Sequence, residues 1–166
     1  MSIRGGKPNS RALSPNLIVR DAARAVAFYQ RVFGAEPLYV SRLPNGAVLH
    51  AQLRVGESVF LVSEETMGMP EAQFAKFERG MRTRSPATLG GTSCVIELYV
   101  DDVDETFRRA LDLGALVKMP VTDQFYGDRV GQFEDPFGHV WGVGQVLEVL
   151  DPAEVDRRAA ERFAPA

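Results

Sequence analysis

The chain has 166 residues, 45% of them hydrophobic and 25% charged, which suits one domain with a substantial core. A net charge of −3 without a basic stripe excludes the electrostatic footprint of nucleic-acid binding, and no apolar run approaches the length of a membrane span. The single cysteine, Cys94, excludes an internal disulfide and reads as a small hydrophobe in an apolar run. The two histidines, His50 and His139, limit any imidazole-rich metal site.

Residues 1–11 are polar with Gly and Pro and read as a loose arm. They lack the apolar stretch of a secretory signal, so a cytoplasmic protein is expected. Residues 13–19, LSPNLIV, read as a strand. Residues 21–36 read as a helix, with Asp21 as N-cap, apolar residues at helical spacing from Ala22 to Phe33, and Gly34 as stop signal. Two strands at 37–43 and 47–55 flank a Pro-Asn-Gly turn, a strong hairpin signal, and Gly56-Glu57 turns the chain into a third strand at 58–63. Residues 65–92 read as a connector with a short helix around 70–79.

The pattern then restarts. A strand at 94–100, CVIELYV, leads to a helix at 101–115, capped by Asp101 or Asp102 and stopped by Gly114. Strands follow at 116–122 and 129–134, then a turn at 135–139 and a strand at 140–146. A charged helix over 151–163 begins with Pro in its first turn. Val19 matches Val100, Asp21 matches Asp102 and Val26 matches Phe107, all at an offset of 81 residues. This internal repeat predicts an α+β fold of two βαβββ modules, at 12–64 and 93–147, with the connector at 65–92 and the last helix within 148–166. Two such modules whose sheets curve together make a cleft, where ligands commonly bind.

Alternation along the strands assigns faces. In 94–100, Cys94, Ile96, Leu98 and Val100 are apolar and should meet the helices, which turns Val95, Glu97 and Tyr99 toward the cleft. The same logic sends Leu13, Pro15, Leu17 and Val19 to the core, and Ser14 and Asn16 to the cleft. His50 and Gln52 share one strand face and are further polar candidates. Burying Glu97 unpartnered would be costly, so it reads as a general base, a partner for a cationic ligand, or half of an ion pair with an Arg. Tyr126 and Arg129 are candidates for the cleft rim. Arg129 could clamp a carboxylate or phosphate, or fix the loop together with Asp128. Asp135-Pro136-Phe137-Gly138 has the composition of a β-turn, so most of the stretch 126–143 reads as scaffold. Leu17, Val19, Tyr29, Phe33, Leu98, Phe107, Leu111 and Trp141 are the expected core.

The segments LIVRDAARAVAFYQRVFGAE (17–36), ELYVDDVDETFRRALDLGA (97–115) and DPFGHVWGV (135–143) resemble the glyoxalase/bleomycin-resistance/extradiol-dioxygenase superfamily, also called vicinal oxygen chelate proteins. The resemblance covers roughly residues 12–147, and the FGAE, YGDR and DPFGH words resemble its glyoxalase-like subgroup. It implies the paired-module fold and a homodimer. In metal-dependent members, four cleft positions supply His, Gln or Glu ligands. The resemblance places these at Ser14, at Gln52 or His50, at Val95 and at Gly142. Val and Gly side chains carry no donor, and a transition metal needs three or four.

The leading expectation is therefore a metal-independent protein, without cofactor, that holds a small organic ligand, aromatic or cationic, through Ser14, Asn16, His50, Gln52, Glu97, Tyr99, Tyr126 and Arg129. No nucleic-acid or membrane partner is expected. The alternative is a glyoxalase-like lyase or isomerase, or a dioxygenase relative, using Zn, Ni or Fe or acid–base residues. A third reading is an accessory domain with a vestigial cleft.

Overall fold

Two capped helices, each entered from a strand, organise the chain. The computed structural model describes residues 13–77 and 83–164, so the arm expected over 1–11 lies outside the described residues. Strand β1 (Asn16–Val19) leads into α1 (Ala22–Phe33), whose N-terminus is capped by the Asp21 carboxylate, accepting from Arg24 N at 2.9 Å. Gly34 ends α1 at φ 64°, a left-handed conformation that costs glycine nothing. Strands β2 (Glu36–Arg42), β3 (Val48–Val55) and β4 (Ser58–Glu64) follow. Two short helices, α2 (Glu71–Phe77) and α3 (Pro86–Leu89), occupy the connector. The helix expected around 70–79 is α2, and residues 78–82 lie outside the described residues.

Strand β5 (Val95–Tyr99) then enters α4 (Val103–Asp112), where the Asp102 side chain accepts from Glu105 N at 2.9 Å and repeats the Asp21 cap. Strands β6 (Leu116–Asp123), β7 (Asp128–Glu134) and β8 (Val140–Val146) and the helix α5 (Pro152–Arg162) complete the chain. The first sheet runs β1-β4-β3-β2 and the second β5-β8-β7-β6. In each, the first strand pairs parallel with the last and the other neighbours are antiparallel. The sequence repeat is thus a repeat of topology, an α+β fold of two βαβββ modules.

The chain forms two compact units. One comprises the described residues up to 93 together with the turn Pro136–His139. The other comprises Cys94–Asp135 and the described residues from Val140 onward. In the first, α1 buries Ala25, Tyr29 and Val32 against the sheet, beside Leu53, Phe60 and Val62. Tyr29 meets Phe60 edge-on, with ring centroids 5.4 Å apart. The turn adds Phe137, edge-on to Phe28 at 6.0 Å, and His139, whose Nε2 lies 3.1 Å from the Ile18 carbonyl. These contacts make the turn scaffold. The connector is tied down by the buried Glu65, which accepts from Ser85 Oγ at 2.5 Å and Thr88 Oγ1 at 2.8 Å.

In the second unit, Phe107 on α4 meets Phe133 on β7 edge-on at 5.7 Å. Gly131 admits this contact, since a Cβ there would come within 2.9 Å of the Phe107 ring. Trp141 is buried and donates through Nε1 to Asp135 Oδ2 at 3.0 Å.

Several expected core positions lie elsewhere. Strand β1 starts at Asn16, so Leu13, 88% exposed, and Pro15 precede it and do not enter the core. Cys94 is exposed because β5 begins one residue later. Phe33 and Leu98 are half-buried. Leu111 is 37% exposed because Val103, Thr106, Phe107 and Ala110 already complete the inward stripe of α4.

Truncating Phe107 to Ala should therefore cost about 3–5 kcal/mol in urea unfolding. The same change at Leu111 should cost less than about 1 kcal/mol. Equal losses would contradict this helix face.

Candidate functional site

Helix α1 packs on β3 and β4, and α4 on β6, β7 and β8. Each sheet has a second face, where the side chains alternate away from those core positions. On the first sheet this face carries two cross-strand rows. One runs Ile18, Ser63, His50, Ser41, and the other Asn16, Leu61, Gln52, Tyr39. His50 Nδ1 lies 2.9 Å from Ser63 Oγ, and Ser63 Oγ donates to Asn16 Oδ1 at 2.9 Å. His50 is half-buried, and burial pushes its imidazole below its ordinary pKa, which keeps the ring neutral at pH 7. Three expected residues, Asn16, His50 and Gln52, thus share this face. Ser14 is half-buried and lies before the start of β1.

On the second sheet the rows are Glu97, Gly142, Gln132 and Tyr99, Gly144, Val130. The two glycines are the floor. A Cβ on Gly142 would lie 2.1 Å from Glu97 Oε2, so the carboxylate of Glu97 occupies the space of a side chain at 142. The Tyr99 ring covers Gly144 in the same way, 3.2 Å from a Cβ built there. Tyr99 Oη donates to Asp128 Oδ2 at 2.5 Å. That bond, with burial and the Asp128 charge, pushes the Tyr99 phenol up to about 12. The Tyr126 phenol is also raised, by burial and then by the charges of Asp128 and Glu97, which places both carboxylates within electrostatic reach of it. Glu97, Tyr99, Tyr126 and Asp128 are therefore one group.

Arg129 is not part of it. It alternates with Asp128 and shares the helix-covered face of β7 with Gly131 and Phe133. Its guanidinium grips Asp104 of α4 at 2.8 and 2.9 Å and Asp123 at 2.6 Å. The rim placement expected for Arg129 is corrected to a clamp between β7 and α4.

Two residues of these faces were missed in the sequence, Ser63 on the first sheet and Asp128 on the second. For Ser63 a signal existed. The two-residue turn at Gly56-Glu57 pairs Val55 with Ser58, and this register carries His50 to Ser63. Asp128 stands on the Tyr99 side by the alternation that sends Phe133 inward.

The residues present do not fit a transition metal. Val95 and Gly142, two of the four positions implied by the resemblance, offer no donor atom. Among the described residues no three His, Cys, Asp or Glu side chains form a group that could hold a metal ion. No described helix is long and apolar enough to cross a membrane.

The family model described as the Glyoxalase/Bleomycin resistance protein/Dioxygenase superfamily matches residues 11–143. An uncharacterised Mycobacterium bovis protein is 39% identical over 144 residues, covering 87% of this chain and 89% of its own. Among solved structures, TioX from Micromonospora is 31% identical with a TM-score of 0.58, covering 81% of this chain and 98% of TioX. A glyoxalase/bleomycin resistance protein/dioxygenase family enzyme from Burkholderia phytofirmans is 25% identical with a TM-score of 0.58, covering 80% and 95%.

The Tyr99–Asp128 bond has a measurable signature. A phenol raised in the folded state stabilises the fold fully below its ordinary value near 10, and that contribution is lost as pH rises through about 12. In an ultraviolet titration, Asp128→Asn should move one phenolate step from near 12 toward 10, and Tyr99→Phe should delete that step. An unchanged titration in both variants would contradict the bond.

Proposed function

The chain belongs to the Glyoxalase/Bleomycin resistance protein/Dioxygenase superfamily, and from that membership we propose that it holds a small organic molecule on a helix-free sheet face without a transition-metal centre. The observation that carries this reading is the arrangement at Gly142. A position that would supply a metal ligand has no side chain, and the Glu97 carboxylate lies in its place. Beside that carboxylate stand Tyr99 and Tyr126, two aromatic surfaces partly open to solvent. Carboxylate and aromatic faces together suit an aromatic cation better than an anion, because ring faces and carboxylates both attract positive charge. Ligand pockets generally combine apolar lining with a few polar groups of this kind.

A second reading, acid–base chemistry of the lyase or isomerase type, draws support from His50, a neutral imidazole held by a hydrogen-bonded partner. It needs a substrate proton within reach of that ring.

The two readings separate on simple probes. Benzyltrimethylammonium should raise the melting temperature saturably, because a ligand that binds only the folded state stabilises it. Glu97→Gln should weaken it by about tenfold, equivalent to about 1.4 kcal/mol, and leave the neutral isostere neopentylbenzene unchanged. A strong rise in melting temperature with zinc, nickel or iron, abolished by His50→Ala, would contradict the metal-free reading.

A further inference from the structure

The polar row on the first sheet fixes where its protons are. Ser63 has one hydroxyl proton and gives it to Asn16 Oδ1 at 2.9 Å. The 2.9 Å contact between Ser63 Oγ and His50 Nδ1 must then be made by a proton on Nδ1, with the serine oxygen accepting. A neutral imidazole carries one N–H, so Nε2 keeps its lone pair. The row is set by pairing rather than by loop placement. Ile18, Ser63 and His50 are cross-strand partners, and Asn16 lies two residues along β1 from Ile18 on the same face.

We propose that Asn16 and Ser63 lock His50 in the Nδ1–H form, so that Nε2 stands on the helix-free face as a hydrogen-bond acceptor and recognises an N–H or O–H group of the bound molecule. Asn16 and Ser63 are positioning residues, acting through the imidazole. The group preferred at Nε2 is an N–H or O–H donor, such as the hydroxyl of a phenol, and a group offering only acceptors at that point is disfavoured because it sets lone pair against lone pair. The proton arrangement stands by itself. The recognition role rests on the reading that this face binds a small molecule, and it adds the chemistry of the group presented to the first sheet. Burial of the ring supports it by keeping the imidazole neutral, since a protonated ring would donate from both nitrogens.

The test is a long-range proton–nitrogen correlation spectrum of the full-length ¹⁵N-labelled protein at neutral pH. His50 should show a protonated, pyrrole-type Nδ1 and an unprotonated, pyridine-type Nε2. In Asn16→Ala the Ser63 hydroxyl loses its acceptor and is free to donate to Nδ1, so the ring proton should move to Nε2. Asn16→Asp keeps an acceptor and should retain the wild-type form, which guards against a merely misfolded variant. A wild-type spectrum with the proton on Nε2, or an Asn16→Ala ring unchanged in a well-dispersed spectrum, overturns the proposal. Adding phenol should then shift the wild-type Nε2 resonance saturably, whereas anisole, the same ring without the O–H, should not. The phenol response should weaken at least tenfold in Asn16→Ala. An Nε2 unmoved by phenol, in a protein that still binds benzyltrimethylammonium, overturns the recognition role and leaves the broader binding reading in place.

Discussion

Alternation along the strands is the constraint on which the rest depends. A β-strand sends successive side chains to opposite faces, and in each module a helix covers one of them. Once Leu17, Val19, Ala51, Leu53 and Val62 are committed to α1, their neighbours in the chain must occupy the other face. Those neighbours include Asn16, Ser63, His50 and Gln52. Polar groups brought together on a partly buried surface must satisfy one another or lose their hydration uncompensated. The chain Asn16–Ser63–His50 is one such solution, and the short bond from Tyr99 to Asp128 is another. The same commitment that builds the core therefore preorganises the candidate site.

Glycine shapes the second sheet as much as any polar residue. Residues 142 and 144 leave space on the strand, and Glu97 and Tyr99 from the neighbouring strand lie in it. A side chain at 142 would push the Glu97 carboxylate aside, so a donor at 142 and a carboxylate over it are mutually exclusive. The first sheet carries the half-buried His50 with its hydrogen-bonded partners, and the second the Glu97 carboxylate over Gly142 and the Tyr99 ring over Gly144.

Much of the fold was legible because it follows from local chemistry. Asp21 and Asp102 are N-caps, and each accepts from the backbone three residues on. The Asn-Gly turn and the 81-residue repeat led directly to the two four-stranded sheets with the same order. The strand-face logic brought Glu97 and Tyr99 to one side of β5. Other positions depended on where an element ends, which periodicity does not fix. Leu13 and Cys94 fall just outside their strands, and Leu111 falls just beyond the inward stripe of α4. Arg129 was misplaced by loop reasoning where strand reasoning applied. It alternates with Asp128, and Phe133, four residues on, marks its face as the helix side. Ser63 required the turn register to be carried along the hairpin to His50.

The central claim is that the helix-free face of the second sheet, with its glycine floor, is a binding surface for an organic cation. Mapping of backbone amide shifts on titration with benzyltrimethylammonium tests it most directly. The account predicts saturable changes at Glu97, Tyr99, Tyr126, Gly142 and Gly144, and none along the outer surfaces of α1, α4 and α5. Saturable changes confined to those helices, with the glycine floor silent, would contradict it.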